Sequence, residues 1–195
     1  MKPAHQRPAP APCDLRRRGL LATSLVACAP PGWAQAAAVA PPAELATDLP
    51  GARLRGSASM RFFGLHIYDI RLWTTATVTA DPAQPPLALE LIYGRKLAGE
   101  QIASRSLDEM RRVGNPSQAQ TSRWLAAMRQ LFPDVGAGDR LTGVMRSDGV
   151  ARIHFNGQLR GEIADADFSR LFFGIWLSPR TSEPRLREQL PGLAR

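Results

Sequence analysis

Four arginines, Arg53, Arg55, Arg61 and Arg71, stand in or beside a stretch dense in apolar strand formers, and they are the side chains here best suited to chemistry. A guanidinium is a rigid fork of N–H donors. At the mouth of an apolar cleft it holds a carboxylate or phenolate through two parallel charge-assisted hydrogen bonds. At a solvated strand edge the same residue does nothing specific, and composition alone does not separate the two cases. Other reactive constellations are missing. Beyond residue 36 there is no cysteine, and only His66 and His154 remain, far apart and without a carboxylate at ligand spacing, which is a poor metal set. Neither a glycine-rich phosphate loop nor a nucleophile elbow occurs, so no cofactor is expected.

The elements that must position these residues follow from periodicity. Met60 to Thr74, with no proline and many aromatic and β-branched residues, predicts one long strand bent at Gly64. Alternation along it puts Phe63, Leu65 and Ile67 on one face. A second strand covers Leu87 to Tyr93. Two helices come next, carrying Ala103, Leu107 and Met110 and then Trp124, Met128, Leu131 and Phe132 on their apolar stripes. Arg140 to Ile163 reads as three strands joined at Asp148-Gly149 and Asn156-Gly157, dipeptides that accept the positive φ of tight hairpin turns. Asp165 is placed to cap a helix apolar nearly all round, and Ser182 and Pro184 open a short closing helix. The class is α+β, an antiparallel sheet covered by helices.

Residues 1–36 read as a signal peptide: Arg16-Arg17-Arg18, an apolar run from Gly19 to Ala29, and Ala34-Gln35-Ala36 as the cleavage site. The apolar run is too short for a permanent membrane span, so no transmembrane helix is expected in the mature form. Arg17-Arg18-Gly19-Leu20-Leu21 is a loose twin-arginine pattern, leaving two export routes open. A competing reading takes Leu25-Val26-Ala27-Cys28 as a lipobox, with a lipid anchor on Cys28 and a membrane-tethered lipoprotein in place of a free periplasmic protein. Residues 37–50 are expected to be a flexible N-terminal segment and 51–192 the folded domain. The net charge is +8, from 25 Lys and Arg against 17 Asp and Glu, but five of those cations and one acid precede residue 37, so the remainder carries +4. That balance, with no basic run interleaved with aromatics, argues against nucleic acid as a partner.

Two segments are more telling than composition. Arg61-Phe62-Phe63-Gly64-Leu65-His66-Ile67-Tyr68-Asp69 and Phe172-Phe173-Gly174-Ile175-Trp176-Leu177-Ser178-Pro179, the latter followed by Thr181-Ser182-Glu183-Pro184, resemble the chalcone isomerase-like proteins exported by bacteria. The resemblance runs from about Leu49 to Leu190, and it implies an open-faced β-sandwich with a ligand cleft between sheet and helices. In the plant enzymes of that superfamily an arginine holds the phenolate of a chalcone while hydroxyls polarise its ketone, closing a flavanone. The resemblance matches Arg53 to that arginine, with Arg55 as the alternative. It sets Phe63 where the enzymes carry a strand threonine, and it finds no counterparts of their tyrosine and asparagine between Gly99 and Phe132. Other superfamily members bind fatty acids in a more apolar cleft. The expectation is therefore a non-catalytic binder of a small apolar or amphipathic acidic ligand, met by Arg53 or Arg55 and walled by Phe63, Leu65 and Ile67. An isomerase of the intramolecular lyase type and an envelope protein-interaction module remain the alternatives.

Overall fold

Six strands follow one another in chain order across a single antiparallel sheet in the computed structural model, which describes residues 39–75 and 86–190. They are β1 (Arg53–Phe62), β2 (Leu65–Thr74), β3 (Leu87–Tyr93), β4 (Arg140–Met145), β5 (Ala151–Phe155) and β6 (Gln158–Ile163). A single turn, α1 (Leu45–Asp48), precedes them; α2 (Gly99–Val113) and α3 (Gln118–Leu131) lie between β3 and β4; α4 (Ala166–Leu177) and α5 (Pro184–Gln189) follow the sheet. This is the expected α+β class. The expected signal peptide, with Cys28 and the expected cleavage site after Ala36, lies outside the described residues.

Local chemistry explains most boundaries. Asn156 (φ 49°) and Gly157 (φ 85°) turn β5 into β6, a pair of positive φ values that matches the twist of the flanking strands. Ser117 and Gln120 form a reciprocal capping box at the start of α3. Asp165 accepts from the backbone N–H groups of Asp167 and Phe168 and so starts α4. Ser182 does not cap α5; Glu183 takes that position, with Pro184 in the first turn.

The long strand expected over Met60 to Thr74 is a hairpin. Phe63 (φ 47°) and Gly64 (φ 79°) are its two turn residues, and Phe62 pairs with Leu65 across it. Gly64 completes a reversal of direction where the sequence reads a bend.

Strand alternation then sorts the side chains onto two faces. Ile70, Leu72, Leu89 and Ile153 point to the helices and join Met110, Trp124 and Phe173 in the main core, each 1% exposed or less. Burying each large side chain contributes roughly 1.5–3 kcal/mol. Trp73, Ala88 and Val144 point the other way and are also buried, because the N-terminal segment lies over them.

That segment departs from expectation. Residues 37–50 read as flexible, yet Leu45 is 1% and Leu49 4% exposed, packed on the outer face of the sheet. The tie is ionic as well. Glu44 accepts from Arg140 at 3.0 Å and from Thr142 at 2.8 Å, and one helical turn on Asp48 accepts from Arg152 at 2.6 Å and meets His154 Nε2 at 2.7 Å. Spacing of four residues puts both carboxylates on one side of α1, facing the strands. The folded unit thus includes this strap, ahead of the boundary expected at residue 51.

Candidate functional site

The helix side of the sheet is not filled completely. A cavity of about 350 Å³ lies between the strands and helices α2 and α4, within the roughly 300–1,000 Å³ of small-molecule sites. Leu89, Leu91, Leu141 and Ile153 form its strand wall, with Phe172 and Trp176 opposite. Gly143 adds no side chain to that wall, and a Cβ there would stand 3.5 Å from the Phe172 ring opposite.

Polar groups enter from a few positions. Tyr68 and Tyr93 pair across β2 and β3 with their rings edge to face, 5.9 Å apart. Trp176 Nε1 donates to the Tyr68 hydroxyl at 3.0 Å. Burial pushes the Tyr68 phenol up to about 12, against the opposing pull of that hydrogen bond. Burial likewise raises Tyr93. Both phenols are neutral at ordinary pH. Among the described residues Arg105 is the one cation on the wall, and no histidine or cysteine lines it. Arg105 Nη2 sits 2.6 Å from Glu109 Oε1, one turn along α2, while Arg112 Nε lies 3.6 Å from the other oxygen. The pair is asymmetric: the Glu109 side chain is 7% exposed and that of Arg105 62%. Its angles fall short of a hydrogen bond, so the buried Glu109 Oε1 lacks an aligned donor.

This arrangement can hold an apolar body in the interior and an anion at the rim. Among the described residues its two wall serines, Ser106 and Ser182, have no histidine on the same wall.

Of the residues proposed from sequence, Ile67 lines the cavity and the others do not. Arg53 and Arg55 are exposed near the start of β1, where a bulge between Leu54 and Gly56 interrupts the ladder. At that end the helix side of the sheet is occupied by the close of α5: a Cβ on Gly56 would run into the carbonyls of Gln189 and Leu190. Phe63 and Leu65 are 91% and 56% exposed at the β1–β2 turn. The hairpin moved them, because a reversal at Phe63 takes the expected shared face apart. His66 pairs with Asp69 at 3.0 Å and His154 with Asp48, as ordinary partnered histidines.

Arg105, Glu109, Tyr68 and Tyr93 are polar wall groups that sequence reasoning passed over; Gln101, Ser106, Ser182 and a second carboxylate, Glu183, line the same wall. A signal existed for two of them. Arg105 and Glu109 flank the apolar stripe of α2 at a spacing of four, the place where a charged side chain reaches the edge of a buried face.

Comparison with known proteins agrees with this architecture. A fatty-acid binding protein of Arabidopsis thaliana has a similar fold, with a TM-score of 0.56 and 11% sequence identity over 74% of this chain and 88% of its own. An uncharacterized protein of Haemophilus influenzae is 30% identical over 139 residues, which is 70% of this chain and 66% of that protein's length. The family model described as chalcone isomerase-like matches residues 36–192, and on that match the chain belongs to the chalcone isomerase-like family.

Proposed function

We propose that the protein binds a small amphipathic acid, with a fatty acid the best-fitting class, and performs no chemistry on it. The observation that carries this reading is an apolar cavity of about 350 Å³ with one cation among the described residues, Arg105, reaching from its wall to solvent. An acyl chain would replace water against Leu89, Leu91 and Ile153, gaining roughly 0.8 kcal/mol per buried methylene. Its carboxylate would meet the Arg105 guanidinium. The fold shared with a fatty-acid binding protein supports the same reading. Native mass spectrometry of the purified protein, followed by titration with a fluorescent fatty acid, tests it. No co-purified or titratable acyl ligand would sink the proposal.

A second reading rests on one observation, the two neutral phenols at the cavity. A phenolic O–H is a donor that can polarise a ketone, as an intramolecular lyase requires. A protein-interaction module is less well supported, because the cavity is not filled by the chain's own side chains. For localisation we propose export to the periplasm with cleavage after Ala36, with lipidation at Cys28 as the competing outcome. The mass of the native N-terminus decides between them.

A further inference from the structure

Five large apolar side chains are exposed among the described residues, and three of them, Phe62 (55%), Phe63 (91%) and Leu65 (56%), share the tip of the β1–β2 hairpin. Scattered single exposed apolar residues are ordinary; a cluster at one projecting point is a sign of an interaction surface. Here the fold itself does not ask for it. The β5–β6 hairpin of the same sheet uses Asn156 and Gly157 at the two positive-φ positions, whereas this one uses Phe63 and Gly64. A bulky residue in the left-handed region is strained, and strain retained in a folded protein gathers at working sites. Asparagine would make the turn at lower cost.

Two further observations say what the tip meets. Phe62 is both exposed and part of the cavity wall, so the apolar tip continues into the apolar interior. Cations stand beside it as well. Arg61 reaches the Gly64 carbonyl at 3.5 Å. Gly94 donates to the Ile67 carbonyl at 2.9 Å beside the hairpin, and the exposed Arg95 and Lys96 follow it directly. None of Arg61, Arg95 and Lys96 forms an ion pair with a described residue. Aromatic side chains at an exposed tip, with Arg61 on the turn and Arg95 and Lys96 following the strand beside it, fit the boundary between acyl chains and anionic headgroups.

We propose that the Phe62–Leu65 hairpin tip docks on an anionic lipid bilayer, with Phe63 and Leu65 entering the acyl boundary and Arg61, Arg95 and Lys96 meeting headgroup phosphates. The docked tip sets the rim of the cavity against the membrane, so an acyl ligand moves along Phe62 without crossing water. This last step rests on the acyl-binding reading; docking itself does not.

The test is co-sedimentation of the full mature chain with vesicles of phosphatidylcholine, with and without phosphatidylglycerol, for the native protein and Phe63→Asn. The native protein should associate with the phosphatidylglycerol vesicles more than with phosphatidylcholine alone, and added salt should erase the difference, because the headgroup contacts are screened. Losing one inserted aromatic should weaken association by about tenfold or more. Melting temperature in Phe63→Asn should hold or rise, and titration with a soluble fluorescent fatty acid in the absence of vesicles should be unchanged. Equal association of native and variant protein, or none by the native protein, overturns docking while leaving the acyl-binding reading intact. Vesicle association lost in Phe63→Asn from a protein that takes up no soluble acyl probe upholds docking and removes acyl binding. A change from dimer to monomer in Phe63→Asn without vesicle association assigns the tip to a protein contact and overturns the proposal.

Discussion

Arg105→Gln and Glu109→Gln should move the affinity for a fatty acid in opposite directions. Arg105 is the one cation on the cavity wall among the described residues, and its side chain is 62% exposed. A charge-assisted hydrogen bond contributes about 1.5–3 kcal/mol when dry, but screening at so open a position reduces this to about 1 kcal/mol. That corresponds to a loss of about fivefold in affinity for Arg105→Gln. Glu109 competes for the same guanidinium at 2.6 Å and places a buried negative charge near the ligand's own. Glu109→Gln keeps the shape and removes both effects, so affinity should rise by a similar factor of about five. The matching fatty alcohol is the control, since an uncharged headgroup should bind both variants within about twofold of the native protein. Displacement of a fluorescent acyl probe by acid and by alcohol, at fixed ionic strength, measures all six affinities. Thermal melts should accompany them, because Arg105→Gln leaves Glu109 with Arg112 at 3.6 Å as its nearest cation and is expected to lower the midpoint. Acid and alcohol responding alike, or Glu109→Gln weakening the acid, would refute the placement of the carboxylate at Arg105.

Leu45→Ala should destabilise the protein by about 3 kcal/mol in urea denaturation, the usual cost of hollowing a buried leucine site, since Leu45 is 1% exposed in the strap cluster; a loss below about 1 kcal/mol would mean the strap is not part of the cooperative fold. Asp165→Asn should show a pH signature. Burial works to raise the Asp165 carboxyl, but hydrogen bonds from Trp124 and Arg123 outweigh it and hold it below its ordinary value. A depressed folded value contributes stability above the unfolded value of about 3.9, and that contribution is lost as pH falls through the folded value. The stability gap between native protein and Asp165→Asn should therefore be full near neutrality and close under acid, and a gap independent of pH would contradict it. Chalcone cyclisation should run at its spontaneous rate in the presence of the protein; an accelerated rate that collapses in Tyr68→Phe would instead establish the lyase reading.

Much of this protein was legible in its sequence, for reasons that are local. Asp148-Gly149 and Asn156-Gly157 announce hairpins because their residue types tolerate positive φ, and Asp165 announces α4 because its carboxylate satisfies N–H groups two and three residues on. The buried stripes of α2 and α4 follow from a helical period that needs no knowledge of the partner. The Phe63-Gly64 turn escaped notice because phenylalanine is a poor occupant of the left-handed region, so nothing in its chemistry points to a reversal. Long-range contacts decided the rest. Glu44 and Asp48 became buried partners of Arg140 and Arg152, 96 and 104 residues away, through a strap laid across a completed sheet. The cation of the cavity is Arg105 rather than Arg53 or Arg55, because the close of α5 fills the helix side of the sheet beside Gly56 while α2 lies along the open part. Residue types and their periods determined which elements form and which faces are apolar. Only the assembled fold decided which charged side chains border the space left between them, since that depends on how packed elements meet and not on any one element's sequence.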